Sequence, residues 1–176
     1  MRPRCIIDIE TEDLDPKSGR IICIGVLDTA TNKSWVFYDE NEKQMLRDFL
    51  DFFHNRGFKE VIGYNVLFDL RYIFARCLKY NLASNSLFKI MHSDLMHIMK
   101  SVKNVYSLNK AGTLNQWAEF LFGSGKYPLP DSIPKLFESG NISLIIEYNK
   151  RDLEITYQLW KRIQRVFSNG VGMQIL

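Results

Sequence analysis

The sequence is poor in the residues that staple small secreted folds together. Cysteine occurs three times, at Cys5, Cys23 and Cys77. The number is odd, no CxxC pair is present, and the thiols suit buried free cysteines better than a disulfide framework or a zinc site. His92 and His97 are five apart, not the i, i+4 spacing of a helical zinc pair. GxSxG, P-loop and GxGxxG patterns are missing, which removes the commonest nucleophile and nucleotide signatures. No apolar run approaches the roughly 18 residues of a membrane span. Met-Arg-Pro-Arg leads to Asp8 without an apolar signal region. An intracellular, cytoplasmic protein that is not held in a membrane is therefore expected.

What is present is ordinary globular material with many rings. The chain of 176 residues is 46% hydrophobic, 24% charged and 13% aromatic, enough to bury a sizeable core. Lys plus Arg number 23 against 20 Asp plus Glu, a net charge of +3, which permits nucleic-acid binding without arguing for it. With no repeat or low-complexity linker, one domain over residues 1–176 is expected, with residues 168–176 as a possible tail. That apolar tail suits packing on the core or on a second subunit, leaving monomer and homodimer both open.

Periodicity places the elements. Cys5 to Ile9, Arg20 to Leu27 and Lys33 to Tyr38 read as strands joined by short turn-rich links. Met45, Leu46, Phe49, Leu50 and Phe53 recur at helical spacing. Glu60 to Tyr64 reads as a fourth strand and Lys89 to Leu95 as a fifth. Between them Leu70, Ile73, Phe74, Cys77 and Leu78 form an amphipathic stripe. Leu114 to Phe122 and Ser143 to Phe167 read as helices, with a loop from Tyr127 to Ile133. Three antiparallel strands followed by alternating helices and strands predict an α/β fold: a mixed five-stranded sheet flanked by helices, the element order of ribonuclease-H-like proteins.

Three placements of acidic residues stand out. Asp8 and Glu10 interrupt an apolar strand and, two apart, point to one face. Like charges side by side resist burial, and a bound cation removes the conflict; the alternative is a strand that ends at Asp8 with both acids solvated. Asn65 and Asp69 fall at a strand-to-helix turn, where an N-terminal Asp also serves the helix dipole. Tyr148 and Asp152, i and i+4, share a face of the last helix that continues through Ile155, Leu159, Ile163 and Val166. The alternative for Asp152 is a boundary position neutralised by Lys150 or Arg151.

Taken in order, Asp8-x-Glu10, Asn65-x-x-Phe68-Asp69 and Tyr148-x-x-x-Asp152 resemble the three motifs of the DEDD 3′–5′ exonuclease superfamily. Tyr148, and Glu147 where the other branch carries histidine, point to the tyrosine-bearing (DEDDy) branch, which includes the proofreading domains of family B DNA polymerases. Thr113-Leu114-Asn115 before a helix and Gly123 also resembles the segment preceding the third motif. With no polymerase palm or thumb in the chain, a free-standing exonuclease is expected.

The resemblance implies a two-metal site for Mg²⁺ or Mn²⁺, hard ions that favour carboxylate oxygens. Asp8 would bridge two ions, Glu10 and Asp152 would complete the shell of the one carrying the attacking water, and Asp69 would serve the second. Tyr148 would orient the water. Thr11, Leu14, Asn65, Phe68 and Lys126 would contact substrate, with Lys150 and Arg151 as further phosphate candidates. The Lys161, Arg162 and Arg165 run reads as a solvated face, and Asp94 as structural. The expected function is 3′–5′ hydrolysis of single-stranded DNA or frayed ends. The pathway, DNA repair among others, is open. The alternatives are the same chemistry on RNA and a silent nucleic-acid-binding module on the same fold.

Overall fold

A computed structural model describes residues 3–102, 112–126 and 128–168; the expected tail lies almost wholly outside them. Five strands form one sheet: β1 (Arg4–Thr11), β2 (Ile21–Asp28), β3 (Lys33–Phe37), β4 (Glu60–Gly63) and β5 (Met91–Asp94), in the order β3-β2-β1-β4-β5. β1 and β3 run antiparallel to β2, and β4 and β5 continue the sheet in parallel with β1. The helices are α1 (Glu42–Arg56), α2 (Val66–Tyr80), α3 (Asn85–Phe88), α4 (Leu95–Val102), α5 (Leu114–Phe122), α6 (Ile133–Glu138) and α7 (Ile142–Ser168). This is the mixed α/β architecture expected from the sequence.

Alternation along β1 divides the core. Cys5, Ile7 and Ile9 pack against Met45 and Phe49 of α1 and Leu70 and Ile73 of α2. Ile6 faces the other way, into a cluster with Leu95, Ala118, Leu153 and Leu159. Asp8 and Glu10 share the parity of Ile6, so they lie on the face that α7 covers. Cys5, Cys23 and Cys77 are buried free thiols, as expected.

Several sequence expectations are corrected. β1 runs past the expected Cys5 to Ile9 at both ends, from Arg4 to Thr11, with a register shift after Glu10, so the alternative of an end at Asp8 falls away. Leu95 belongs to a helix rather than to the fifth strand, because Asp94 Oδ1 accepts the Met96 amide at 2.9 Å and turns the chain into α4. The loop thought to reach Ile133 gives way there to α6, which carries Pro134 in its first turn. α3 and α6, four and six residues long, are too short to show a helical period. Leu78 and Val166 lie outside the buried stripes, 83% and 62% exposed. No helix among the described residues is long and apolar enough to cross a membrane.

Candidate active site

The acidic groups gather where β1 outruns β4. β4 pairs with β1 only at Arg4, Cys5 and Ile6, so the edge of β1 beyond Ile6 needs other partners. Asp69, in the first turn of α2, accepts the Ile9 amide at 3.0 Å. Asn65 stands before that helix in a left-handed conformation, φ 65°, and makes no side-chain cap. Its backbone N–H donates to Asp94 Oδ1 at 2.8 Å. Asp94, read from the sequence as structural, thus shapes the turn that presents Asn65 and Asp69.

From the other side α7 brings Asp152. One carboxylate oxygen each from Asp8, Glu10 and Asp152 lies within 4.8 Å of the others, a group that could hold a metal ion. Asp8 and Glu10 are half-buried and Asp152 is buried. Desolvation and then the Asp152 charge push the Asp8 carboxyl up to about 8, against the pull of Lys126 and an Asn149 hydrogen bond. Desolvation likewise raises Glu10, Asp69 and Asp152, with Asp8 adding to the first two. Asp69 lies outside the three-carboxylate group, although its charge is felt by Glu10.

Lys126 takes the part expected of Lys150 or Arg151. Its ammonium donates to Asp152 Oδ2, and to the Tyr148 hydroxyl at 3.2 Å, while lying 4.7 Å from that ring's centre. The pairing raises its pKa despite burial. Arg151 is engaged with Glu154 at 2.9 Å, and Lys150 is exposed. The loop carrying Lys126 is tied down by Asn115 Oδ1, which accepts the Lys126 amide at 2.6 Å. Gly125 leaves no room for a side chain there, since an added Cβ would run into the Asn115 side chain. Desolvation raises the half-buried Tyr148 phenol, so it keeps its proton at neutral pH.

The remaining substrate candidates fall together beside the carboxylates. Thr11, Leu14 and Phe68 line a groove of about 420 Å³ with Glu10. Asn65 lines an adjoining one of similar size that shares Leu14 and Phe68. Leu14 is 80% exposed on a loop anchored by the Tyr72 hydroxyl on Asp13 O and by Arg76 Nη1 on Pro16 O. Lys161, Arg162 and Arg165 face solvent away from these grooves' linings, as the sequence suggested. The sequence singled out Asn115 only as part of the segment before the third motif, without its bond to Lys126, and it did not point to Asn149. Asn149 sits inside the third motif, but nothing local shows that it points at Asp8.

The donor set suits a hard divalent ion: carboxylate oxygens converge, and Asp152 Oδ1 is buried without a hydrogen-bond partner. The sequence model of the RNase_H superfamily matches residues 5–126. The uncharacterized protein MJ0365 of Methanocaldococcus jannaschii is 30% identical over 168 residues, covering 90% of this chain and 93% of that protein. The fold is similar to that of the family B DNA polymerase from the hyperthermophilic archaeon Pyrobaculum calidifontis, with a TM-score of 0.77 at 19% identity. That likeness takes in 93% of this chain but 24% of the polymerase chain.

Proposed function

This chain belongs to the RNase_H superfamily, and on that premise we propose that it is a metal-dependent 3′–5′ exonuclease of the tyrosine-bearing DEDD type, acting on single-stranded DNA or frayed ends. The observation that carries this reading is the meeting of Asp8, Glu10 and Asp152 within 4.8 Å, with Tyr148 one helical turn before Asp152. The motif order resembles proofreading domains, and the fold likeness to a family B polymerase covers a fraction of that larger chain. Both support a nuclease module.

Asp8, Glu10 and Asp152 would hold Mg²⁺ or Mn²⁺, with Asp69 serving a second ion. The bound ions supply the positive charge that a reacting phosphodiester and its attacking water require. Tyr148, protonated at neutral pH, orients that water rather than taking its proton. Lys126, held between Tyr148 and Asp152, offers its ammonium to the phosphate. Thr11, Leu14, Asn65 and Phe68 receive the terminal nucleotide in the adjoining grooves.

The test uses 5′-labelled DNA and RNA oligomers with Mg²⁺ or Mn²⁺. The expected result is a ladder shortening from the 3′ end of DNA, abolished by EDTA and absent in a folded Asp8→Ala variant. Full activity in Asp8→Ala overturns the site. Faster cleavage of RNA overturns the substrate, and binding without cleavage in both metals overturns catalysis in favour of a silent module.

A further inference from the structure

Asn149 has no exposed surface. From α7 its Nδ2 donates to Asp8 Oδ2 at 2.8 Å and to the Asp8 backbone oxygen at 3.2 Å. Both partners are acceptors, so the amide must turn its NH₂ group to β1 and its oxygen away. The oxygen faces Gly25, the residue directly across from Asp8 in the antiparallel register of β1 and β2.

That position has no space for a side chain. A Cβ on Gly25 would overlap Asn149 Oδ1 and lie 3.0 Å from Asn149 Cγ and 2.8 Å from Leu153 Cδ1. Gly25 does not have a positive φ, so its value here is room, not backbone freedom. The gap lets Asn149 lie across β2 and reach β1.

Stability alone is a poor reason for this arrangement. Asn149 Oδ1 is buried with no hydrogen-bond partner, an unfavourable state that an apolar side chain of the same size would avoid. What the amide gains is its pair of bonds to Asp8. Asp8 itself needs restraint, because beside Glu10 and Asp152 its carboxylate would otherwise swing out to relieve like-charge repulsion.

We infer that Asn149 is a positioning residue that holds the Asp8 carboxylate where it meets Glu10 and Asp152, and that Gly25 is the gap through which it acts. The inference rests on the reading of that group as a divalent-cation site. Hydrogen bonds that fix metal-ligating carboxylates typically change metal affinity about 10–100-fold.

The experiment measures Mn²⁺ binding to the full chain by titration calorimetry without nucleic acid, alongside thermal melting in EDTA. Asn149→Leu keeps the volume and removes the donor; Asn149→Ser shortens the donor out of reach of Asp8. Both are expected to bind Mn²⁺ about 10–100-fold more weakly, with a Tm in EDTA that does not fall in parallel for Asn149→Leu. Gly25→Ala, which forces a Cβ into the amide, is expected to weaken Mn²⁺ binding in the same direction. A purely structural Asn149 would lower Tm and leave Mn²⁺ affinity alone. Wild-type affinity in whichever Asn149 variant folds overturns the inference and spares the nuclease reading. A wild-type chain that binds no Mn²⁺ overturns both.

Discussion

Replacing Arg76 tests how the fold holds the loop that carries Leu14. Arg76 and Glu42 are a buried pair, each side chain 3% exposed. The Glu42 carboxylate accepts Arg76 Nε at 2.8 Å, Arg76 Nη2, the Ile21 amide at 2.8 Å and the Tyr80 hydroxyl at 2.8 Å. Arg76→Met removes two of these four donors and the compensating charge. A buried ion left without its partner costs about 3–5 kcal/mol, a large share of the ~5–15 kcal/mol that holds a domain folded. In urea this corresponds to a fall of about 1–2 M in the midpoint. Glu42→Gln added to Arg76→Met removes the stranded charge, so the double variant should recover part of the loss. Arg76 Nη1 also bonds Pro16 O at 2.7 Å on the loop that carries Leu14, so KM for an oligonucleotide should rise more than kcat falls. A loss below about 1 kcal/mol, or a double variant less stable than Arg76→Met, would refute the reasoning.

Three other outcomes are expected. Asp8→Asn removes a carboxyl that is mostly charged only above about pH 8, so melting in EDTA at about pH 9 should show a Tm above wild type while cleavage drops on the order of 10²–10³-fold; a lower Tm at that pH would contradict the repulsion argument. The pKa of Asp8 rises from 3.8 to about 8 on folding, so the folded chain binds more protons than the unfolded chain between those values. Its metal-free stability contribution must then fall as pH rises through that window, and the Tm gained from Mn²⁺ should be larger at pH 8 than at pH 5.5. A gain independent of pH would count against metal binding at these carboxylates. Tyr148→Phe should lower kcat while leaving Mn²⁺ affinity within about twofold of wild type, measured by single-turnover cleavage and calorimetry; a matching loss of Mn²⁺ affinity would make Tyr148 part of the ion site instead.

Local pattern was enough for the elements that span several turns or pleats. The stripe in α2 and the Tyr148–Asp152 spacing in α7 each repeat a period that one stretch of chain reveals. The apolar alternation of β1 placed Asp8 and Glu10 on one face because a strand has a period of two. The short helices gave no such repeat, and α4 begins at Leu95 because of an aspartate bond that only the folded turn completes. Long-range pairs were least legible. Asp69 meets Ile9, Asn149 meets Asp8, and Arg76 meets Glu42 across 60, 141 and 34 residues. Gly25 was visible only as a small residue inside an apolar run, and its reason lies on a helix more than a hundred residues away.

The composition permits a polyanionic partner without arguing for one, and the site explains why. Ionised Asp8, Glu10, Asp69 and Asp152 would outnumber the Lys126 ammonium by three charges, a cleft that repels phosphate. Burial raises all four acids, and neighbouring carboxylates add to the rise at Asp8, Glu10 and Asp69. Two divalent cations would reverse the sign, leaving one net positive charge against an approaching strand. On this argument metal binding and nucleic-acid binding are thermodynamically linked: each divalent ion that enters the carboxylates should strengthen binding of an oligonucleotide, and the oligonucleotide should strengthen binding of the ion by the same factor.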